Sequence, residues 1–337
     1  MMLLIGGLAV KAAEKETIGR PVRVVSVGMF NKGIEKTAEV VEREAAVGAD
    51  LILLTEIWTG RKPLASLEDD PAMVTMAAIA KKYRTYIVSP VLRRDKKIIY
   101  NSAVLIDRNG KIVGIYDKLY PVMPDPPDVD RGVPNSQPGH DAVVFETDFG
   151  RIGMAICFDA QFPEGWQRLA QQGAQLVLFP SAYSAGRSLA AYATLHHYYI
   201  VSSCWGGECQ AYDITGEKLL DEKEGVSRIT LDFDRRIFHY NDSYNYRGQR
   251  DKLLKENPGV VIDKLLRRED WYVLKAVEPG VCLPELVKKY DLQQLHEYLD
   301  KQRLVSGKLR GYRFQRLGPD SNVSLPTGSP FEPQRGR

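Results

Sequence analysis

The stretch Gly150-Arg-Ile-Gly-Met-Ala-Ile-Cys-Phe-Asp-Ala-Gln-Phe-Pro-Glu164 joins a strand pattern to a helix pattern through one reactive side chain. Arg151 to Ile156 is short, apolar after its first residue and bounded by Gly150, as a buried strand should be. Pro163 suits the first turn of a helix, where a missing N–H costs nothing, and Glu164 and Arg168 are spaced to pair on it. Between the two patterns lies Cys157. A side chain at such a strand-to-helix turn is held at a sheet edge beside outward-facing backbone N–H groups, which favours a thiolate and, later in a reaction, an oxyanion. A cysteine near a strand end is nevertheless more often a small buried hydrophobe than a nucleophile, so its chemical meaning depends on partners elsewhere in the chain.

Upstream, Val22 to Phe30 and Asp50 to Thr55 read as buried strands. The helix between them carries Ile34, Ala38, Val41 and Ala45 at helical spacing and stops at Gly48. Asp50 to Thr55 is apolar enough to be covered on both faces and ends at Glu56, a position where α/β folds place chemistry. A helix from Pro71 to about Lys82 and a strand from Thr85 to Leu92 follow. Ile98 to Ile106 and Lys111 to Asp117 then flank Asn109-Gly110, a hairpin turn signal, and the second arm delivers Lys118. Leu119 to His140, rich in Pro, Asp and Gly, reads as a long functional loop. After the cysteine turn come a helix to about Gln172, a strand over Gln175 to Phe179, a helix over Ser184 to Tyr198, a strand over Ile200 to Cys204, a hairpin about Thr215-Gly216 and a strand over Ile229 to Phe233.

The chain has 337 residues, 44% of them apolar and 26% charged, an ordinary balance for a globular protein with a sizeable core. A net charge of only +3 gives no global field toward nucleic acid or an acidic membrane, and no stretch approaches the length that spans a bilayer. Cysteines at 157, 204, 209 and 282 are too few and too scattered for a disulfide scaffold, so a reducing, cytoplasmic setting is expected. The apolar Met1 to Val10 keeps export as the alternative. Cys204 and Cys209 lack a second ligand pair and read as free thiols, with no metal site. No phosphate loop, HExxH or G-x-S-x-G element occurs. Beyond Asp234 the composition turns polar and no strand pattern is visible. Pro284 to Tyr290 and Leu292 to Arg303 look helical, docking on the main domain or on a second subunit. Lys301 to Arg316 is basic and reads as a solvated helix face followed by a tail, and Gly318 to Arg337 as disordered. The expected division is a lead-in (1–21), a main domain (22–238), a partly helical extension (239–317) and a tail (318–337).

A thiol, a base and a fixed cation are what amide or nitrile cleavage through a thioester requires. Carried on Gly48-Ala-Asp-Leu-Ile-Leu-Leu-Thr-Glu56, Gly114-Ile-Tyr-Asp-Lys-Leu119 and the Gly150 to Glu164 stretch, the sequence resembles the nitrilase superfamily of carbon-nitrogen hydrolases over about Val22 to Asp234. The resemblance implies an α/β fold, a four-layer α-β-β-α sandwich of the nitrilase type, here with a C-terminal helical extension, assembled as a homodimer or higher homo-oligomer. It implies Cys157 as nucleophile, Glu56 as general base, and Lys118 with the backbone N–H of Phe158 as stabilisers of the tetrahedral intermediate. Tyr183, Ser181 and His196 are candidate pocket residues. The chain departs from the family in three places: Thr55 where Pro is common before the base, Asp125 where a second Glu often stands as a fourth catalytic acid, and Ala193 to Tyr199 in place of a more polar helix end. The implied activity is cofactor-independent cleavage of a small linear amide or N-carbamoyl compound, releasing ammonia. Two alternatives remain: a nitrilase acting on a small nitrile, toward which Lys118-Leu-Tyr-Pro leans, and a catalytically idle member that binds a ligand or partner.

Overall fold

The computed structural model describes residues 17–122, 136–240 and 246–310, which fall into two compact units, Val22–Leu231 and the remainder. In the first unit, apolar runs form β1 (Pro21–Val27), β2 (Leu51–Leu54), β3 (Tyr86–Asp95), β4 (Ile98–Ile106), β5 (Ile112–Asp117) and β12 (Val226–Asp232), in the sheet order β12-β1-β2-β3-β4-β5. β1, β2 and β3 pair in parallel, because α1 (Ile34–Ala46) and α2 (Pro71–Tyr83) carry the chain back between them. β3, β4 and β5 pair antiparallel. α2 starts where the Asp70 carboxylate accepts from the Ala72 N–H ahead of Pro71, and ends on Arg84 in the left-handed conformation.

Alternate residues of these strands face opposite ways. Val25, Val27, Ile52, Leu54, Ile87, Val104 and Ile106 pack with Val41, Ala45, Met73, Met76 and Ile79 of the helices. Val24, Leu51, Leu53, Val88, Ala103 and Leu105, on the other face, are just as buried. What covers them is a second sheet, order β11-β10-β9-β8-β7-β6. Its strands are β6 (Val144–Thr147), β7 (Gly150–Met154), β8 (Leu176–Ser181), β9 (Tyr199–Cys204), β10 (Cys209–Tyr212) and β11 (Lys218–Glu222). α3 (Pro163–Gln171) and α4 (Gly186–His196) cover its outer face through Trp166, Leu169, Leu189, Tyr192 and Ala193, packed on Val177, Phe179 and Ile200. The sheets meet at the ends of their central strands. There the buried Thr55 hydroxyl reaches the carbonyls of Ser181 (3.1 Å) and Ser203 (3.0 Å). Gly28 also approaches so closely that a Cβ would stand 2.6 Å from the Cys204 carbonyl. This is the expected four-layer α-β-β-α sandwich.

Three local expectations need correction. β3 runs on to Asp95, and its antiparallel register with β4 closes through a tight turn at Lys96 (φ 55°) and Lys97, a pair without the usual Asn-Gly signal. Arg168 bonds Asp141 at 2.6 Å instead of standing only beside Glu164. The stretch beyond Asp234 also contains strands. β13 (Arg236–His239), β14 (Val260–Leu266) and β15 (Trp271–Ala276) form an antiparallel sheet in the order β13-β15-β14. Its signal was hidden because β14 carries a register shift between Ile262 and Lys264, and the turn to β15 is made of charged residues ending on Asp270 at φ 56°.

With α5 (Tyr246–Glu256), α6 (Leu283–Lys289) and α7 (Leu295–Leu309), this sheet belongs to the second unit. Phe238, Leu253, Val260, Tyr272, Leu274, Leu283, Val287 and Leu292 form a core of its own. Arg250 is buried in it, with its guanidinium 5.0 Å from the Tyr240 ring and 5.3 Å from that of Tyr272, and is paired with Asp251. The expected boundary after residue 238 therefore cuts β13, and the units divide at Leu231 and Asp232. The N-terminal apolar stretch, Asp125 and the 318–337 tail lie outside the described residues. Among the described residues no helix is long and apolar enough to cross a membrane.

Candidate active site

Glu56 leaves the end of β2 and Lys118 the end of β5, and both side chains are almost fully buried, at 5% and 4% exposure. Lys118 Nζ stands 2.9 Å from Glu56 Oε1. Charges so buried persist only as a pair. Burial by itself pushes the Lys118 ammonium toward losing its proton, but the opposing charges of Glu56 and Cys157 and the hydrogen bond to Glu56 outweigh it, and the net direction is upward. Lys118 therefore stays cationic at neutral pH. Two further groups hold Glu56: Asn101 Nδ2 donates to the same Oε1 at 2.8 Å, and Trp205 Nε1 donates to the Glu56 carbonyl at 2.7 Å.

Cys157 opens a 3-10 turn (Cys157–Gln161) just past β7, with φ at 49°. A left-handed conformation costs a side-chain-bearing residue about 1–3 kcal/mol unless its surroundings impose it. Here Asp159, also buried, imposes it: its carboxylate accepts from the Ile156 N–H (2.8 Å), the Tyr116 hydroxyl (2.7 Å) and the Tyr120 N–H (2.9 Å), and its carbonyl accepts from Trp166 Nε1 (2.9 Å). The turn was expected to favour a thiolate, and the structure corrects this. Burial first, and then the negative charge of Glu56, push the Cys157 thiol up to about 11, although Lys118, the Ala182 N–H and the Ser181 hydroxyl pull the other way. At rest the sulfur is a thiol, and its proton has to be taken by a neighbour.

The remaining candidates separate. Ser181, at the end of β8, is fully buried and its hydroxyl hydrogen-bonds Cys157. Tyr183 lies on the rim, 37% exposed, with its hydroxyl accepting from Gln161 Nε2 (3.0 Å) and reaching the Cys157 carbonyl (3.4 Å). Phe158 stands edge-on to Phe162, which stacks on Tyr120 at 3.8 Å. The described ring contacts of His196 are with Tyr192 and Tyr198, in the aromatic cluster under α4. Cys204 and Cys209 are buried free thiols. Reading the sequence missed Asn101, Asp159 and Trp205 as parts of the site. Only the pairing register of β4 with β5, which sets Asn101 opposite Lys118, could have pointed to Asn101.

The chain is 28% identical over 200 residues to the beta-ureidopropionase of Arabidopsis thaliana, a match covering 51% of this chain and 48% of that protein. It is also 28% identical over 210 residues to the N-carbamoylputrescine amidase of the same plant, covering 58% of this chain and 70% of that one. The chain thus spans about half the length of the first of these relatives. Among solved structures it is similar to an amidase from Nesterenkonia sp. AN1, in a mutant bearing the acetamide moiety of fluoroacetamide at that protein's active-site cysteine. The TM-score is 0.54 and the identity 18%, over 69% of this chain and 93% of that one. The description carbon-nitrogen hydrolase matches residues 25–232, more than half of the chain, and the fold is that of nitrilase-superfamily structures. On this match, which contains the whole Glu56, Lys118 and Cys157 cluster, the chain belongs to the carbon-nitrogen hydrolase family.

Proposed function

We propose that the chain is a thiol hydrolase that cleaves the C–N bond of a small linear amide or N-carbamoyl compound through a thioester on Cys157. The observation that carries the reading is a buried carboxylate and ammonium, 2.9 Å apart, acting electrostatically on a thiol that is protonated at rest. Glu56 accepts the thiol proton as Sγ attacks the carbonyl carbon. Negative charge then gathers on the former carbonyl oxygen, which Lys118 and the Phe158 N–H stabilise. Collapse of this intermediate breaks the C–N bond, and Glu56 returns the proton to the departing nitrogen as ammonia leaves. Water next attacks the thioester carbon, again giving its proton to Glu56, and the acid departs as the Cys157 thiol re-forms. The names of the two plant relatives support an amide or carbamoyl carbon as the target, and the cysteine adduct of the Nesterenkonia amidase supports the covalent step.

The test is an ammonia-release screen over amides, N-carbamoyl amines and nitriles, repeated on Cys157→Ala. The wild type is expected to turn over at least one amide or carbamoyl compound, and the variant to lose at least about 10³-fold in kcat. Turnover that survives Cys157→Ala at a comparable rate would overturn the reading.

A further inference from the structure

We infer that Asn101 is a positioning residue for Glu56, an inference that rests on the function proposed above. The β4–β5 register sets Ser102 opposite Asp117, and the Lys118 N–H donates to the Asn101 carbonyl at 2.8 Å, so Asn101 and Lys118 stand side by side at the strand ends. Both then converge on a single atom. Glu56 Oε1 accepts from Lys118 Nζ at 2.9 Å and from Asn101 Nδ2 at 2.8 Å. The orientation of the amide follows from this contact, since turning it over would set Oδ1 against the carboxylate. With Oε1 occupied by two donors, Oε2 is the oxygen left to exchange protons with Cys157 and with water. The strands that present the two donors are cross-linked by Arg93, which holds Asp117 (2.8 Å) and Ser102 (3.0 Å).

A second observation separates this role from packing. Asn101 is 7% exposed, and its Oδ1 is buried with no hydrogen-bond partner among the described residues. A side chain present only to fill space there would be apolar, because an empty buried acceptor destabilises the fold. Asn101 is retained at that cost, and its amide donor is spent on the base.

The experiment follows alkylation of Cys157 by iodoacetamide against pH, resolved by peptide mapping with the exposed Cys282 as internal reference. Near neutral pH the buried thiol reacts only as fast as Glu56 removes its proton. Lys118, Cys157 and Tyr183 are the titratable groups among the described residues that are coupled to Glu56. Asn101→Leu is expected to slow the reaction at pH 7 about tenfold or more. It should also move the acid limb of the profile, because the group that takes the thiol proton has lost a donor on Oε1. Asn101→Ala, which offers no donor at any pH, is expected to move the limb as well. Rates and limb unchanged in Asn101→Leu would overturn the inference, as would slowing that merely tracks a lowered melting temperature with the limb in place. Ammonia release that continues at the wild-type rate in Cys157→Ala would instead overturn the proposed function, and this inference with it.

Discussion

Removing one charge of the Glu56 and Lys118 pair should cost more stability than removing both. At 2.9 Å and an effective dielectric near 20, the attraction is about 6 kcal/mol, set against a desolvation penalty of several kcal/mol for each ion. Left without a partner, either charge keeps its penalty and loses its compensation. Lys118→Met should therefore lose about 3–5 kcal/mol. Glu56→Gln should lose about as much, because the unpaired ammonium it leaves is just as deeply buried. The double variant Glu56→Gln/Lys118→Met should return to within about 1 kcal/mol of the wild type, or exceed it, while being inactive. The assay is urea unfolding with linear extrapolation, followed by tryptophan fluorescence. Trp58, Trp166 and Trp205 report the Val22–Leu231 unit and Trp271 the other, so a Trp271→Phe background isolates the transition of interest. Strictly additive losses, or a double variant weaker than both singles, would refute the reasoning and reduce the pair to two independent contacts.

Two further outcomes are expected. Thr55→Val removes the buried hydroxyl that bonds Ser181 and Ser203 across the sheets, and should cost about 1–2 kcal/mol, roughly 2–8 °C in melting temperature, with Thr55→Ser retaining most of it; no change in Thr55→Val would show that the bridge contributes nothing. Glu44 carries its own pH signature. Burial would raise this carboxyl, but hydrogen bonds from Arg228 and Arg43 hold it below its ordinary value. Its contribution is therefore fully present above about pH 4.3 and lost as the pH falls through the lowered folded value, so Glu44→Gln should flatten the stability curve below pH 5.

Periodicity and turn chemistry made most of the first unit legible. Strands such as Leu51–Leu54 and Leu176–Ser181 are apolar on both faces, which already implies layers on either side. The second unit's sheet was not legible, because burial on one face of a short, shifted strand leaves little alternation, and a charged turn carries no glycine or asparagine to mark it. Similarly, the left-handed conformation at Cys157 is imposed by Asp159, whose three donors come from two separate parts of the chain.

The order of residues by itself determined which reactive groups end strands: Glu56 after β2, Lys118 after β5 and Cys157 after β7. A buried strand has to surface somewhere, and its first polar residue marks the place. Only the tertiary structure decided how those groups act on one another. Register sets Asn101 beside Lys118, and the stacking of two sheets brings Glu56 and Lys118 of one toward Cys157 of the other. Exclusion of water turns a thiol that local sequence would have left reactive into one held up to about 11 until Glu56 takes its proton. Proton affinity depends on the charges and solvent within a few ångströms, and around Cys157 those neighbours, Glu56, Lys118 and Ser181, come from the ends of three other strands.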